Sequence, residues 1–167
     1  MAYKFSEVTV LIVDSQPAIV ELVRDVLRML GVQQVLTCTN GASGLRAFEE
    51  YSPDIMIIDW DLDNIDGLSF TKAVRGSNNP YTPIIFMTAL SSAKRVVAAR
   101  DSGITEFLKK PFTVEALCQR IETIIEKPRP FVRAAEFIGP DRRRKRTDDL
   151  KGPDRRSSTS GKKSRKK

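Results

Sequence analysis

Four polar residues of this chain stand at the ends of short apolar runs, and their chemical types suit the handling of a phosphoryl group. A carboxylate can act as a nucleophile or bind a metal ion. A hydroxyl and an ammonium group can stabilise the charge that a transferred phosphoryl group carries on its peripheral oxygens. Each residue alone also fits an ordinary loop or cap position, so the site is predicted from all four together: Asp14, Asp59, Thr88 and Lys110.

The apolar runs predict the elements that position these residues. Runs without polar alternation are typical of strands that are buried on both faces of a parallel sheet. Between them, apolar residues recur at helical spacing, and the first helix begins at Pro17 and is stopped by Gly31. We predict strands at 8–13, 32–38, 54–58, 83–87 and 105–108, with helices at 17–30, 41–51, 67–75, 93–102 and 114–125.

Strands that alternate with helices predict a doubly wound, flavodoxin-like α/β domain with a five-stranded parallel sheet in the order 2-1-3-4-5. In that order the switch point lies between strands 1 and 3, which end at Asp14 and Asp59. Neighbouring strands lie about 4.8 Å apart, so the two carboxylates would repel each other. Magnesium would relieve that repulsion, and we predict a site formed by Asp14, Asp59 and the backbone carbonyl near Asp61.

Composition excludes several other classes of protein. The chain contains no histidine, which removes Ser/His and Cys/His nucleophilic schemes, histidine-ligated zinc and any role as a phosphohistidine donor. Its two cysteines, Cys38 and Cys118, lie in apolar patterns and are expected to be reduced. Neither a signal peptide nor a transmembrane run is visible, so we expect a cytoplasmic protein.

In combination, the motifs resemble the receiver domain of bacterial two-component response regulators, especially the stand-alone chemotaxis type. The resemblance covers about residues 7–127 and implies that Asp59 accepts a phosphoryl group from the phosphohistidine of a kinase or phosphotransfer protein, with Mg²⁺ required. It also implies that Thr88 and Lys110 contact that group, that the Lys110–Pro111 bond is cis, and that Thr88 and Phe107 take part in the switch. The motifs are Leu11-Ile12-Val13-Asp14, Ile57-Ile58-Asp59-Trp60, Asp66-Gly67, Met87-Thr88-Ala89 and Lys110-Pro111-Phe112.

Four positions depart from the pattern of that family. Ser15 stands where receivers usually carry a second acid after strand 1, which predicts weak magnesium affinity. Ser15 also fits a structural role in the capping region of the first helix. Asp61 and Asp63 replace a common neutral residue and a proline, and we hypothesise that Asp61 partly restores the missing charge. Phe107 lacks the hydroxyl of the common tyrosine, so it is either a switch that acts by ring position or a core aromatic.

The end of the chain differs in composition, and we divide the protein into a receiver at 1–127 and a basic tail at 128–167. The receiver has 13 Lys+Arg against 16 Asp+Glu, whereas the tail has 15 against 5. Residues 131–138 are apolar enough for a short clip that packs on the receiver or on a partner. Gly139-Pro140-Asp141-Arg142-Arg143 recurs as Gly152-Pro153-Asp154-Arg155-Arg156, and the remainder is expected to be largely disordered.

Three functions remain open. The first is a phosphoacceptor switch that signals to a protein target and is not an enzyme beyond its own phosphoryl transfer and dephosphorylation. The second is a phosphorylation-independent binding module that acts through the tail, whose partner would be an acidic protein, nucleic acid or an anionic membrane surface. The third is a haloacid-dehalogenase-type phosphatase that uses Asp59-Trp60-Asp61. The chain has no pattern of a sequence-specific DNA-binding domain.

Overall fold

A computed structural model of the chain describes residues 5–89, 93–135 and 137–141. After a short 3₁₀ turn at Phe5–Glu7, five strands alternate with five helices and a two-stranded hairpin follows. The strands are β1 (Thr9–Val13), β2 (Gln34–Cys38), β3 (Ile55–Asp59), β4 (Ile84–Thr88), β5 (Glu106–Lys109), β6 (Phe131–Ala134) and β7 (Phe137–Pro140). The helices are α1 (Pro17–Met29), α2 (Gly41–Tyr51), α3 (Gly67–Arg75), α4 (Ala93–Ser102) and α5 (Val114–Glu126).

The main sheet is parallel throughout and has the order β2-β1-β3-β4-β5, which confirms the predicted topology. Strand boundaries differ from their predicted positions by one or two residues. β3 includes Asp59, because the register pairs Asp59 with Met87 and the Trp60 N–H donates to the Met87 carbonyl at 2.9 Å. β5 begins at Glu106, where its pairing with Ile85 of β4 starts.

Helices cover both faces of the sheet, and each face has its own apolar core. All five residues of β3 and of β4 are buried, which agrees with runs that lack polar alternation. On one face, Val10, Ile12, Ile57, Ile85 and Met87 pack with the buried stripes of α1 and α5. On the other, Leu11, Val13, Met56, Ile58, Ile84 and Phe86 pack with α2, α3 and α4.

The hairpin β6–β7 packs on the amino edge of the sheet, the edge at which the strands begin. β7 contacts α4, and Gly139 lies directly against Gly103 in the loop before β5. A Cβ on Gly139 would lie 2.7 Å from the Cα of Gly103, so no larger residue fits there without displacement. Gly103 itself has φ +93°, a conformation that favours glycine. The expected clip therefore lies on the receiver and has the form of two antiparallel strands, which the sequence had not predicted.

Arg75 links several elements at the amino edge of the sheet. Its side chain is buried and donates to the carbonyls of Gly103, Pro80 and Thr82 at 2.7 to 3.0 Å, and its guanidinium lies over the Phe131 ring at 5.1 Å. Burial lowers the pKa of Arg75 to about 10, which leaves the side chain charged at neutral pH. One arginine thus joins α3, the loops before β4 and β5, and the hairpin.

The described part of the tail ends at Asp141, whose N–H donates to the Pro130 carbonyl at 2.8 Å. The second copy of the Gly-Pro-Asp-Arg-Arg repeat, and the segment that we expected to be disordered, lie outside the described residues. Within the described ranges, every helix is too short or insufficiently apolar to cross a bilayer.

Candidate functional site

Two carboxylates meet at the carboxyl edge of the sheet. Asp14 directly follows β1 and Asp59 ends β3, and these strands are neighbours, so both side chains are brought to the same edge. Asp14 is fully buried and its Oδ1 accepts the Gln16 N–H at 2.8 Å, whereas Asp59 is 6% exposed. Two acids so close together and so little hydrated need a positive partner.

Lys110 supplies that positive charge. Its Nζ lies 2.7 Å from Oδ2 of Asp14 and 3.3 Å from Oδ2 of Asp59, so one ammonium group bridges the two carboxylates. The Lys110 N–H also donates to the Thr88 carbonyl at 2.7 Å, which fixes the lysine beside the end of β4. The Lys110–Pro111 peptide is cis, as the resemblance to receivers implies.

The balance of charges sets the protonation of Asp59. Burial raises the pKa of Asp59, and the Lys110 ammonium opposes that increase more strongly than the Asp14 carboxylate adds to it. The net effect is a pKa above the ordinary value for an aspartate. The carboxylate of Asp59 is therefore less hydrated than a surface acid and is held beside one cation, an arrangement that suits a nucleophile.

Thr88 ends β4, the strand next to β3, and is buried. The register places Asp59 opposite Met87, so Thr88 is one position further along the neighbouring strand. The structure therefore brings Asp14, Asp59, Thr88 and Lys110 to one edge of the sheet, as the positions of the four residues in the sequence predicted.

The donor set fits magnesium only in part. Magnesium is commonly held by one or two carboxylates, with water and phosphate oxygens completing six ligands. Asp14 and Asp59 could provide two carboxylates, and the bound ion would offset negative charge during phosphoryl transfer. In the described residues, no group of three or more His, Cys, Asp or Glu side chains could hold a metal ion. Ser15, where a third acid is usual, is exposed and adds no carboxylate.

Asp61 lies apart from this constellation. Its side chain is 61% exposed, and its Oδ1 lies 3.6 Å from Nη1 of Arg95 on α4. Asp61 remains a predicted metal ligand, but the structure pairs its carboxylate with an arginine and not with Lys110. The contact of Arg95 with Asp61 could not be predicted from the sequence. Because α4 lacks a clear apolar stripe, the sequence does not indicate on which face of the helix its charged residues lie.

Asp66 has a structural role. It is the N-cap of α3, and its carboxylate accepts the N–H groups of Leu68 and Ser69 and the Ser69 hydroxyl at 2.8 to 3.0 Å. These hydrogen bonds, chiefly those of Ser69, lower the pKa of Asp66 because they favour the ionised form.

Asp66→Ala should destabilise the protein by about 1 kcal/mol at pH 7, because two N–H groups of α3 lose their cap. A depressed carboxyl pKa contributes stability above the ordinary value near 4, and that stability is lost as the pH falls through the lower folded pKa. The difference in free energy of unfolding between the parent and Asp66→Ala, measured in urea, should therefore be smaller at pH 3 than at pH 7. Asp66→Asn, which keeps a capping oxygen, should lose less, and an undiminished deficit of Asp66→Ala at pH 3 would contradict the charged-cap account.

The predicted switch residue Phe107 lies in β5 and is partly buried against the core that faces α3 and α4. Its carbonyl accepts Nε of Arg120 at 3.1 Å. The preceding residue, Glu106, is buried and lies 3.6 Å from Arg120 and 3.3 Å from Arg129. Sequence reasoning missed this cluster because Arg129 belongs to the linker that follows α5, where a charged residue is unremarkable.

The chain is a doubly wound α/β domain that carries two acids, a threonine and a lysine at the carboxyl edge of its sheet. The sequence matches the response regulator receiver domain over residues 10–122, and the chain belongs to that family.

The chain is similar in sequence to relatives of two kinds. It is 32% identical over 131 residues to the transcriptional regulatory protein TrcR of Mycobacterium tuberculosis, covering 78% of this chain and 50% of that protein. It is 26% identical over 119 residues to the chemotaxis protein CheY of Pseudomonas aeruginosa, covering 71% of this chain and 96% of that one. The chain thus spans about half the length of the transcriptional regulators it matches and nearly all of the chemotaxis protein.

Solved structures agree with the fold. A putative response regulator from Chloroflexus aurantiacus is 30% identical with a TM-score of 0.67, and the match covers 72% of this chain and 98% of that one. The chemotaxis protein CheY4 of Vibrio cholerae is 29% identical with a TM-score of 0.66, covering 70% and 98%.

Proposed function

We propose that this protein is a phosphorylation switch in which Asp59 accepts a phosphoryl group from a histidine kinase or histidine phosphotransfer protein. The observation that carries the proposal is the buried Asp59 carboxylate, held beside Asp14 and bridged to it by Lys110. The absence of histidine from the chain means that any phosphohistidine donor must be another protein. A cytoplasmic location fits such a donor.

The reaction exchanges one bond to phosphorus for another. An oxygen of the Asp59 carboxylate attacks the phosphorus atom as the phosphorus–nitrogen bond to the donor imidazole breaks. The bonding electrons remain with the imidazole nitrogen. Lys110 would pair with the new phosphoryl oxygens, Thr88 would donate a hydrogen bond to them, and Asp14 and Asp59 would hold magnesium. Hydrolysis of the aspartyl phosphate would later return the protein to its first state.

The output would pass to a protein partner through α4, β5 and α5. These elements carry partly exposed apolar side chains, namely Val96 and Val97 on α4 and Val114 on α5. Phe107 lies between them on β5, and a change in its ring position would alter the shape of that surface. The excess of 15 Lys+Arg over 5 Asp+Glu in residues 128–167 supports a second, anionic partner for the tail.

The test is incubation of the full chain with magnesium and acetyl phosphate, followed by intact mass and hydroxylamine treatment. The expected result is one phosphoryl group per chain, which persists after the incubation and is removed by hydroxylamine. Rapid multiple turnover of the donor would instead support the phosphatase, and absence of an adduct would support the phosphorylation-independent module.

A further inference from the structure

Arg95 on α4 contacts the two residues that follow Asp59. Its Nη1 lies 3.6 Å from Oδ1 of Asp61, and its Cζ lies 5.6 Å from the centre of the Trp60 ring. Trp60 is buried and packs edge-on against Phe86 with ring centres 5.4 Å apart. The arginine therefore joins α4 to the segment 59–61 through one ion pair and one cation–π contact.

The two cations near the site have different surroundings. Lys110 is 11% exposed and is engaged by the buried carboxylates of Asp14 and Asp59. The Arg95 and Asp61 side chains are 40% and 61% exposed, so both reach solvent near the phosphoacceptor, whereas Nη1 of Arg95 itself is buried. With Lys110 already bridging two acids, Arg95 is the cation seen to offset the charge of Asp61.

We propose that Arg95 is a positioning residue for phosphoryl transfer, which neutralises Asp61 and so lets an anionic phosphodonor approach Asp59. The inference rests on the proposed function, since it assumes that Asp59 accepts the phosphoryl group. Without Arg95, the donor would meet the uncompensated carboxylate of Asp61 in addition to the charges of Asp14 and Asp59. Arg95 acts through Asp61 and need not touch the donor itself.

An electrostatic role of Arg95 and a purely structural role predict different effects of its replacement. Removal of the Arg95 charge should weaken the approach of an anion and strengthen the binding of a cation at the same edge of the sheet. A packing defect in the segment 59–61 should weaken both. The sign of the two effects therefore separates an electrostatic role from a purely structural one.

The first measurement is the rate of adduct formation against acetyl phosphate concentration, at low ionic strength. Arg95→Gln should raise the half-saturating concentration about three- to tenfold and change the maximum rate little. Arg95→Lys, which keeps the charge, should stay near the parent. With magnesium saturating for each variant, Arg95→Gln combined with Asp61→Asn should also return towards the parent, because the uncompensated carboxylate is then absent. Added salt should shrink the difference.

The second measurement is a magnesium titration followed by the fluorescence of Trp60, the only tryptophan, which needs no phosphoryl transfer. Arg95→Gln should bind Mg²⁺ about three- to tenfold more tightly, and Asp61→Asn more weakly. Failure of the parent to form any adduct would refute the proposed function but leave this titration decisive. An unchanged or absent magnesium response in Arg95→Gln, or failure of Arg95→Lys to restore donor binding, would overturn the inference.

Discussion

Asp59→Asn is expected to abolish the phosphoryl adduct completely. The amide has nearly the shape of the carboxylate, but it lacks the charged oxygen that attacks phosphorus. The fold should survive, because Lys110 keeps Asp14 as a partner at 2.7 Å. Since burial raises the pKa of Asp59, the ionised side chain is unfavourable in the folded protein, and the amide variant should be at least as stable in urea as the parent.

The measurement is intact mass after incubation with acetyl phosphate and magnesium. Asp63→Asn is the matched control, because Asp63 is an exposed acid four residues downstream and its removal should leave the adduct in place. An adduct on Asp59→Asn would show that another acid of the edge is the acceptor, and Asp14 would then be the next candidate. Loss of the adduct in both variants would point to damage to the loop.

Arg75→Met should cause the largest loss of stability, about 3 kcal/mol or more. Methionine fills a similar volume, but it leaves the carbonyls of Gly103, Pro80 and Thr82 without their buried donor. Each buried carbonyl that loses its partner costs about 1 to 3 kcal/mol, and the cation–π contact with Phe131 is lost as well. The hairpin should detach before the core unfolds, because Arg75 contacts Phe131 of the hairpin and the carbonyl of Gly103, against which Gly139 packs.

Urea unfolding of the full chain measures the free energy, and amide hydrogen exchange at Gly103 and Gly139 reports on the hairpin. Arg28→Met is the matched control, since Arg28 is an exposed arginine in the last turn of α1 and should change stability by less than about 0.5 kcal/mol. A loss of similar size in both variants, or full protection of Gly139 in Arg75→Met, would contradict the assigned role of Arg75.

The architecture could be predicted from local patterns because each strand and helix carries its own signal. Uninterrupted apolar runs such as Ile55–Ile58 identify buried parallel strands, and their alternation with helices leaves few possible orders for the sheet. Polar residues at the carboxyl ends of those strands then meet by geometry alone. Boundaries were less certain, since Asp59 belongs to β3 only because Trp60 continues the hydrogen bonding to Met87.

The contacts that sequence reasoning missed join residues that are distant along the chain. Arg75 binds the carbonyl of Gly103, 28 residues away, and nothing in its own helix indicates a buried direction for an arginine. Arg95 and Asp61 are likewise paired only once α4 is placed against the segment after β3. The hairpin depends on the contact of Gly139 with Gly103, and a glycine shows no partner in the sequence.

The phosphoacceptor and the hairpin lie at opposite edges of the main sheet. Asp59 and Lys110 lie where the parallel strands end, whereas Gly103, Arg75 and the hairpin lie where they begin. Because the Asp141 N–H is bonded to the Pro130 carbonyl, the last described residue of the chain lies near the hairpin, on the side away from the phosphoacceptor. A partner that binds beside Asp141 would not compete for space with a kinase that binds at Asp59. The protein could then remain bound to that partner while Asp59 is phosphorylated and dephosphorylated.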